Sequence, residues 1–556
     1  MYVSTRDGKR FEKSFPDRVE KDEGMNRVQT HSTIQINPEK VKQEIFGFGG
    51  AFTDAAAIQW MSAKKTDRRL AKKLTKAYFS SGGLQYNMGR VPIASCDFST
   101  RVYSYDDVSG DFQMTNFSLA KEDEFKRRFI KAAIEEIEKS TQKKAGLHQN
   151  VKGNDNSLWL FGSPWSAPAW MKQTKKMSGG GHLINSTQYW QAYALYFYKF
   201  FTTFDVPWWG MTIENEPDIA TLDWSWQALQ FSAEEMRDFL KNYLGPTLKK
   251  LPFDLKIMIL DGGMSSLPSW ADTIYNDPVA TKFTSGAAIH WYGYTHACAK
   301  YLNDTNHNHP DKFILATEAC AGWAEGDRGV KLGSWERAED YADNIIMDLK
   351  NYVRGWVDWN LILDTNGGPN WAKNFVDAPI LYNGTEFYKQ PIYYTLGHVS
   401  KFIPRGSTII DASVKHPGND SGLQVLTAMT PSNNLVSVIL NKEDYQVTSY
   451  LQIGKSSNER YTIKVPPRSI ATHHGPRFHS RFWGGSSSGN SGGSYDYSGY
   501  SPNYYSYYPG YQNVYYQYQQ TYPNYYQYQT YPGYNYGNYY QRYNYVNYPQ
   551  GYYNYG

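Results

Sequence analysis

From about residue 45 to residue 363 the chain alternates two patterns. Short apolar runs rich in β-formers, "IFGFGGAF", "LQYNMGRVPI", "LWLFGSPWS", "WWGMTIENEP", "LKIMILDGG", "AAIHWYG", "KFILATEAC" and "VRGWVDWNLIL", are separated by longer stretches. Those stretches, such as "KEDEFKRRFIKAAIEEIEKS", place apolar residues at i, i+3 and i+4 and charges elsewhere, as amphipathic helices do. Continuous apolar runs predict strands buried on both faces, as in a parallel sheet covered by helices. Eight β-then-α units are the repeat of a TIM (β/α)8 barrel. A doubly wound sheet competes, but "GFGGAF" lacks the GxGxxG spacing of a dinucleotide site.

Beyond about residue 398 the period changes. "STIIDASV", "LQVLTAM", "NLVSVILN", "VTSYLQI" and "ERYTIKV" are strand-length runs with polar turns between them, which predicts an accessory antiparallel β-sandwich over 398–482. "HSTIQINPE" in the N-terminal segment 1–44 is expected to add a strand to it, leaving 45–397 for the barrel. From 483 the chain turns to Gly and Ser, then to Tyr, Asn, Gln and Pro, and holds about half of the 49 tyrosines. With almost no charge and no Leu or Ile it cannot build an aliphatic core. It is expected to be a disordered tail prone to self-association.

Composition narrows the function. A net charge of +4 without a basic block gives no sign of nucleic-acid binding. Cys96, Cys298 and Cys320 are too few for a disulfide scaffold and form no CxxC metal spacing. No metal constellation or cofactor motif stands out, and no run is long enough to cross a membrane. The opening "MYVSTRDGKRFEKSF" lacks the apolar core of a signal peptide, whereas sequons at Asn116, Asn185, Asn303, Asn383 and Asn419 point to secretion.

Barrel enzymes place their chemistry where strands end. Glu216 ends the fourth run, Glu318 ends the seventh, and Asp97 follows the second. Glu214 precedes Glu216 by two and is expected on the same side, deeper in the barrel, in a structural role. Two carboxylates from different strands that face one pocket are the equipment of glycoside hydrolysis. One protonates the leaving oxygen, and the other attacks the anomeric carbon or activates water.

These residues sit in longer motifs. "GFGGAFTDAAA", "YNMGRVPIASCDFS", "SPWSAPAWMK", "TIENEPD", "ATEACAG", "GGPNWAKNFVDAPI" and "FYKQPIYYTLGHVSKFIPRGS", in order from about residue 2 to 475, closely resemble glycoside hydrolase family 30, in particular its animal glucosylceramidases. The resemblance implies Glu216 as acid/base, Glu318 as nucleophile, and retention through a covalent glycosyl-enzyme. It implies a sugar pocket of Asp97, Trp165, Asn215, Trp359 and Asn374, with Phe375 at the mouth. Arg90, His290 and Tyr292 would support the carboxylates. The implied substrate is a glucosylceramide-type lipid met at a membrane surface, in a lysosomal or secreted setting, with an activator protein as a further partner. Another β-glycoside, such as a steryl glucoside or β-xyloside, keeps the same mechanism. An inactive matrix protein acting through its Tyr-rich tail is the alternative of another class. The given sequence begins after where the family's N-terminal cysteines would be expected, and it departs from the family in the first part of "AGWAEGDRGVKLGSWERAED" and in the tail.

Overall fold

The computed structural model describes residues 1–14, 17–18, 32–145, 157–416, 422–454 and 460–477. The tyrosine-rich segment and the sequon at Asn419 lie outside the described residues.

Each of the apolar runs contributes a strand to one closed, all-parallel barrel. The strands are β1 (Gly47–Ala51), β2 (Met88–Ile93), β3 (Trp159–Pro164), β4 (Trp208–Thr212), β5 (Lys256–Gly263), β6 (Gly286–His290), β7 (Phe313–Glu318) and β8 (Val353–Asn360). They neighbour each other in chain order, and β8 closes on β1. Helices such as Asp54–Thr66, Lys121–Ala145, Thr187–Thr203 and Trp335–Lys350 lie between them in sequence. Thr53 caps the first of these, its side chain accepting from the Ala56 N–H.

Met88, Phe161, Met258, Ala288, Leu315 and Val357 form one buried cluster contributed by six barrel strands. It is the apolar filling of the barrel. Successive same-side residues of a strand are two apart. The residue two beyond Met88 is therefore Arg90, beyond Phe161 it is Ser163, and beyond Ala288 it is His290. The polar network described below sits one layer above the apolar filling for this reason.

Among the described residues, ten of the remaining strands form one sheet, while Ile362–Asp364, Ile380–Tyr382 and Phe387–Lys389 form a separate three-stranded one. Leu423–Met429 and Asn434–Asn441 pair as an antiparallel hairpin, and Asn434–Asn441 pairs with Ser469–Arg477. Ser32–Glu44 pairs antiparallel with Thr408–Lys415 and parallel with Val447–Ile453, and Tyr2–Thr5 pairs with Ser469–Arg477. Ile34, Ile36, Val425, Ile439, Leu451 and Ile463 give this sheet its own buried cluster. Among the described residues no helix is long and apolar enough to cross a membrane.

Candidate active site

Arg90 is fully buried and its guanidinium fork makes four hydrogen bonds. One terminal nitrogen pairs with Glu318 Oε2. The other donates to Asn215 Oδ1 at 2.8 Å and to Asp261 Oδ2 at 2.6 Å, while Nε donates to Ser163 Oγ at 3.0 Å. The guanidinium also lies 4.7 Å from the Trp165 ring and 5.4 Å from the Trp359 ring. Those two rings stack at 5.1 Å. A single cation from β2 thus gathers groups from β3, β5, β7 and the segment after β4.

Tyr292 donates to Glu318 Oε1 at 2.7 Å, so both oxygens of that carboxylate are held. The Tyr292 hydroxyl also lies 3.2 Å from Cys320 Sγ. Burial pushes the Cys320 thiol well above its ordinary pKa, and the nearby Glu318 adds to the shift. That keeps it protonated and out of thiolate chemistry. Burial likewise raises the Glu318 pKa, and the His290 and Arg90 cations pull it back.

His290 links the two sides of the network. Its Nδ1 lies 3.1 Å from Glu216 Oε1 and its Nε2 lies 3.0 Å from Asp261 Oδ1. Against the downward push of burial, the Glu318 and Asp261 charges raise its pKa to about 10. As an imidazolium it donates from both nitrogens. One oxygen of Glu216, one of Glu318 and a His290 nitrogen all lie within 4.8 Å of one another. Three such groups can in principle hold a cation, but an imidazolium has no lone pair to offer. The donor set fits two carboxylates steadied by cations better than a metal centre.

The residue that sequence reasoning missed is Asp261. It accepts from Arg90, from His290, from Thr212 Oγ1 at 2.7 Å and from Thr317 Oγ1 at 2.6 Å. Although burial pushes upward, Arg90 and His290 hold its pKa below the usual carboxylate range. Its placement depends on a bulge. Ala288 pairs with Leu260 and Ile289 with Gly262, so Asp261 is the extra residue, with φ of +66°. In sequence "LDGG" closes the fifth apolar run, and nothing in it marks the bulge. The strand-end rule applied to β5 as it was to β4 and β7 would have found it. Replacing Asp261 with Asn leaves two buried cations short of a counter-charge. We expect a loss of about 3–5 kcal/mol in urea unfolding. A loss below about 1 kcal/mol would show that the carboxylate is not their anchor.

Asp97 follows β2 and accepts from Asn374 Nδ2 at 3.1 Å. Phe375, the next residue along, is half-buried. Burial raises the Asp97 pKa to about 7, with Glu318 and Glu216 adding to the shift. An unfolded Asp titrates near ~3.9. Between these values the folded state binds more protons, so this contribution is fully present below pH ~4 and is lost as pH rises toward 7. Asp97→Asn is therefore expected to flatten the fall in urea midpoint between pH 4.5 and 7. An unchanged slope would show that Asp97 is ionised throughout.

Glu214 is fully buried and hydrogen-bonded, in keeping with the structural role expected of it, but its expected placement beside Glu216 needs correction. Glu214 does not share the surroundings of Glu216. Ladder pairing of β4 ends at Thr212, and Glu216 has φ of +50°, so the two-residue period does not carry through. Glu214 instead accepts from Tyr193 on helix Thr187–Thr203 at 2.8 Å. Burial raises its pKa well above that of a free glutamate. A left-handed non-glycine residue is the kind of local strain often stored at functional sites.

The glycosyl hydrolase family 30 TIM-barrel domain matches residues 45–403, and the family's beta sandwich domain matches residues 406–473. The chain belongs to glycosyl hydrolase family 30. This family 30 hydrolase is 47% identical over 484 residues to putative glucosylceramidase 3 of Caenorhabditis elegans, covering 85% of this chain and 87% of that one. It is 39% identical over 456 residues to the lysosomal acid glucosylceramidase of Mus musculus, covering 80% and 83%. Among solved structures, SrfJ from Salmonella typhimurium superposes with a TM-score of 0.72 at 25% identity, over 85% of this chain and 98% of that one. The family 30 hydrolase is thus a glycoside hydrolase with a barrel and an accessory sheet.

Proposed function

We propose that the protein is a retaining β-glucosidase that hydrolyses glucosylceramide to glucose and ceramide. The observation that carries the reading is the approach of Glu216 and Glu318 oxygens to within 4.8 Å. Retaining enzymes hold their carboxyl groups about 5–5.5 Å apart, whereas inverting ones leave ~6.5–9.5 Å for a water. The names of the nematode and mouse relatives support the glucosylceramide substrate.

In this reading the Glu318 carboxylate attacks the anomeric carbon. The C1–O bond to ceramide breaks as Glu216 gives its proton to the departing oxygen. Glu216, now ionised, takes a proton from water, and that water displaces Glu318 to release β-glucose. Arg90 and Tyr292 hold Glu318 at both oxygens, which fixes its attack geometry. His290 steadies Glu216 from Nδ1. Arg90 occupies the Asn215 carbonyl oxygen, so the Asn215 NH2 is the end that meets the sugar 2-hydroxyl. Asp97 and Asn374 bind further hydroxyls, and Trp165, Trp359 and Phe375 supply the apolar wall. The mouse relative's name supports a lysosomal setting for the same activity.

The test is hydrolysis by the full chain of a fluorogenic aryl β-glucoside, then of glucosylceramide in anionic mixed micelles. Turnover of both is expected. Activity on the aryl glucoside alone would move the substrate to another β-glycoside. Inactivity of the folded protein on both would overturn the hydrolase reading.

A further inference from the structure

One loop leaves the end of β7, and a second follows the short strand Ile362–Asp364 just beyond β8. The first runs over residues 319–334, and its Trp323 meets the Tyr292 ring edge-on at 5.2 Å. The second spans residues 365–379 and carries Asn374 and Phe375. Neither loop holds a catalytic carboxylate, yet each touches a residue that does the site's work.

Arg337, in the first turn of helix Trp335–Lys350, joins the two loops. Its Nε donates to Asp327 Oδ2 at 3.0 Å, its Nη2 to the Asp327 carbonyl at 2.6 Å, and its Nη1 to the Gly329 carbonyl at 2.8 Å. The same Nη1 pairs with Asp377 Oδ2 on the second loop. The other Asp377 oxygen accepts from Gln390 at 2.6 Å and from the Ala378 N–H at 2.9 Å. The Asp377 N–H donates to the Ala321 carbonyl at 2.9 Å, a second tie between the loops. Around this junction the backbones are in close approach. Gly322 has φ of +80°, and a Cβ there would stand 2.3 Å from the Gly329 oxygen and 3.0 Å from the Asp377 nitrogen.

The pair is buried, with side-chain exposures of 4% and 1%. A buried ion pair adds little stability over apolar packing of the same volume. What it does add is direction, because a planar fork with several fixed acceptors is satisfied in one placement only. We propose that Arg337 and Asp377 are positioning residues that hold the two mouth loops in one register and thereby set which leaving groups the site accepts. The inference rests on the retaining glucosidase reading, with a bulky lipid aglycone leaving past these loops. Loss of the pair lets the loops part, which weakens binding of the aglycone while leaving the carboxylate network, held by Arg90 and Asp261, intact.

The test compares wild type, Asp377→Asn, Arg337→Lys and the double variant on glucosylceramide in micelles and on an aryl β-glucoside. Lysine keeps the charge but cannot span the acceptors, so Arg337→Lys probes the lock where Asp377→Asn does not fold. Rates are normalised to active sites titrated with a slow fluoroglucoside. The expected result is a KM for glucosylceramide raised by about tenfold with kcat within about twofold, and a clearly smaller rise in KM for the aryl glucoside, because the second loop also carries Asn374. The double variant should be no worse than the poorer single one, as for groups that act together. Equal losses on both substrates, additive losses, or an unchanged KM for the lipid would overturn the proposal. A wild type inactive on both substrates would instead overturn the underlying hydrolase reading.

Discussion

Glu318→Gln is expected to lower turnover of every β-glucoside by at least about 10⁴-fold, whatever the leaving group. An amide cannot form the glycosyl ester, and no neighbouring group can replace it. Asp261 is committed to four donors, and Asp97 is bonded to Asn374 on another loop. The variant should remain folded, because Asp261 still balances Arg90 and His290. Steady-state assays on aryl and lipid substrates, with circular dichroism as the control for folding, decide the matter. Residual activity within about a hundredfold of wild type, free of contaminating wild-type protein, would mean that the nucleophile lies elsewhere.

Glu216→Gln should behave differently, because an acid/base is needed in proportion to how poor the leaving group is. Ceramide departs as an alkoxide unless it is protonated, so hydrolysis of the lipid should fall by about 10²–10⁴-fold. An aryl glucoside with an acidic phenol needs no such help in the first step. Its glycosyl-enzyme should form and then accumulate, since no base activates water for the second. A small anionic nucleophile such as azide needs no base and should restore turnover, giving a glucosyl azide of retained configuration. The Gln side chain can still meet His290 Nδ1 through its carbonyl oxygen, so the geometry survives the change. Wild-type behaviour on the lipid, or the absence of azide rescue, would remove Glu216 from the acid/base role.

Much of this site can be read along the chain. The barrel is legible because buried parallel strands are continuous apolar runs, and because the ends of those runs carry Glu318 and, a short step beyond, Glu216 and Asp97. The hairpin strands Leu423–Met429, Asn434–Asn441 and Val447–Ile453 coincide with the runs read from the sequence, since turn residues bound each one. Asp261 also lies near the end of its run, but the contacts that give it its role are not legible there. A bulge in β5, absent from any local pattern, brings its carboxylate to Arg90 and His290. Glu214 misleads for a related reason, as the two-residue period fails once ladder pairing stops and Glu216 turns left-handed. The Arg337–Asp377 pair is invisible for a third reason. One partner lies on a helix and the other on a loop, and nothing near either residue announces the other. Local periodicity places the strands and the residues they end on, whereas the contacts that charge and steady those residues form between strands.

The central claim is that Glu318 carries the sugar in a covalent intermediate. The most direct measurement is to incubate the full chain with a 2-deoxy-2-fluoro-β-glucoside bearing a good leaving group, digest it, and find the modified peptide by mass spectrometry. One fluoroglucosyl group per active site is expected, on the "LATEAC" segment at Glu318. Labelling of any other carboxylate, or hydrolysis that releases α-glucose with no adduct formed, would contradict it.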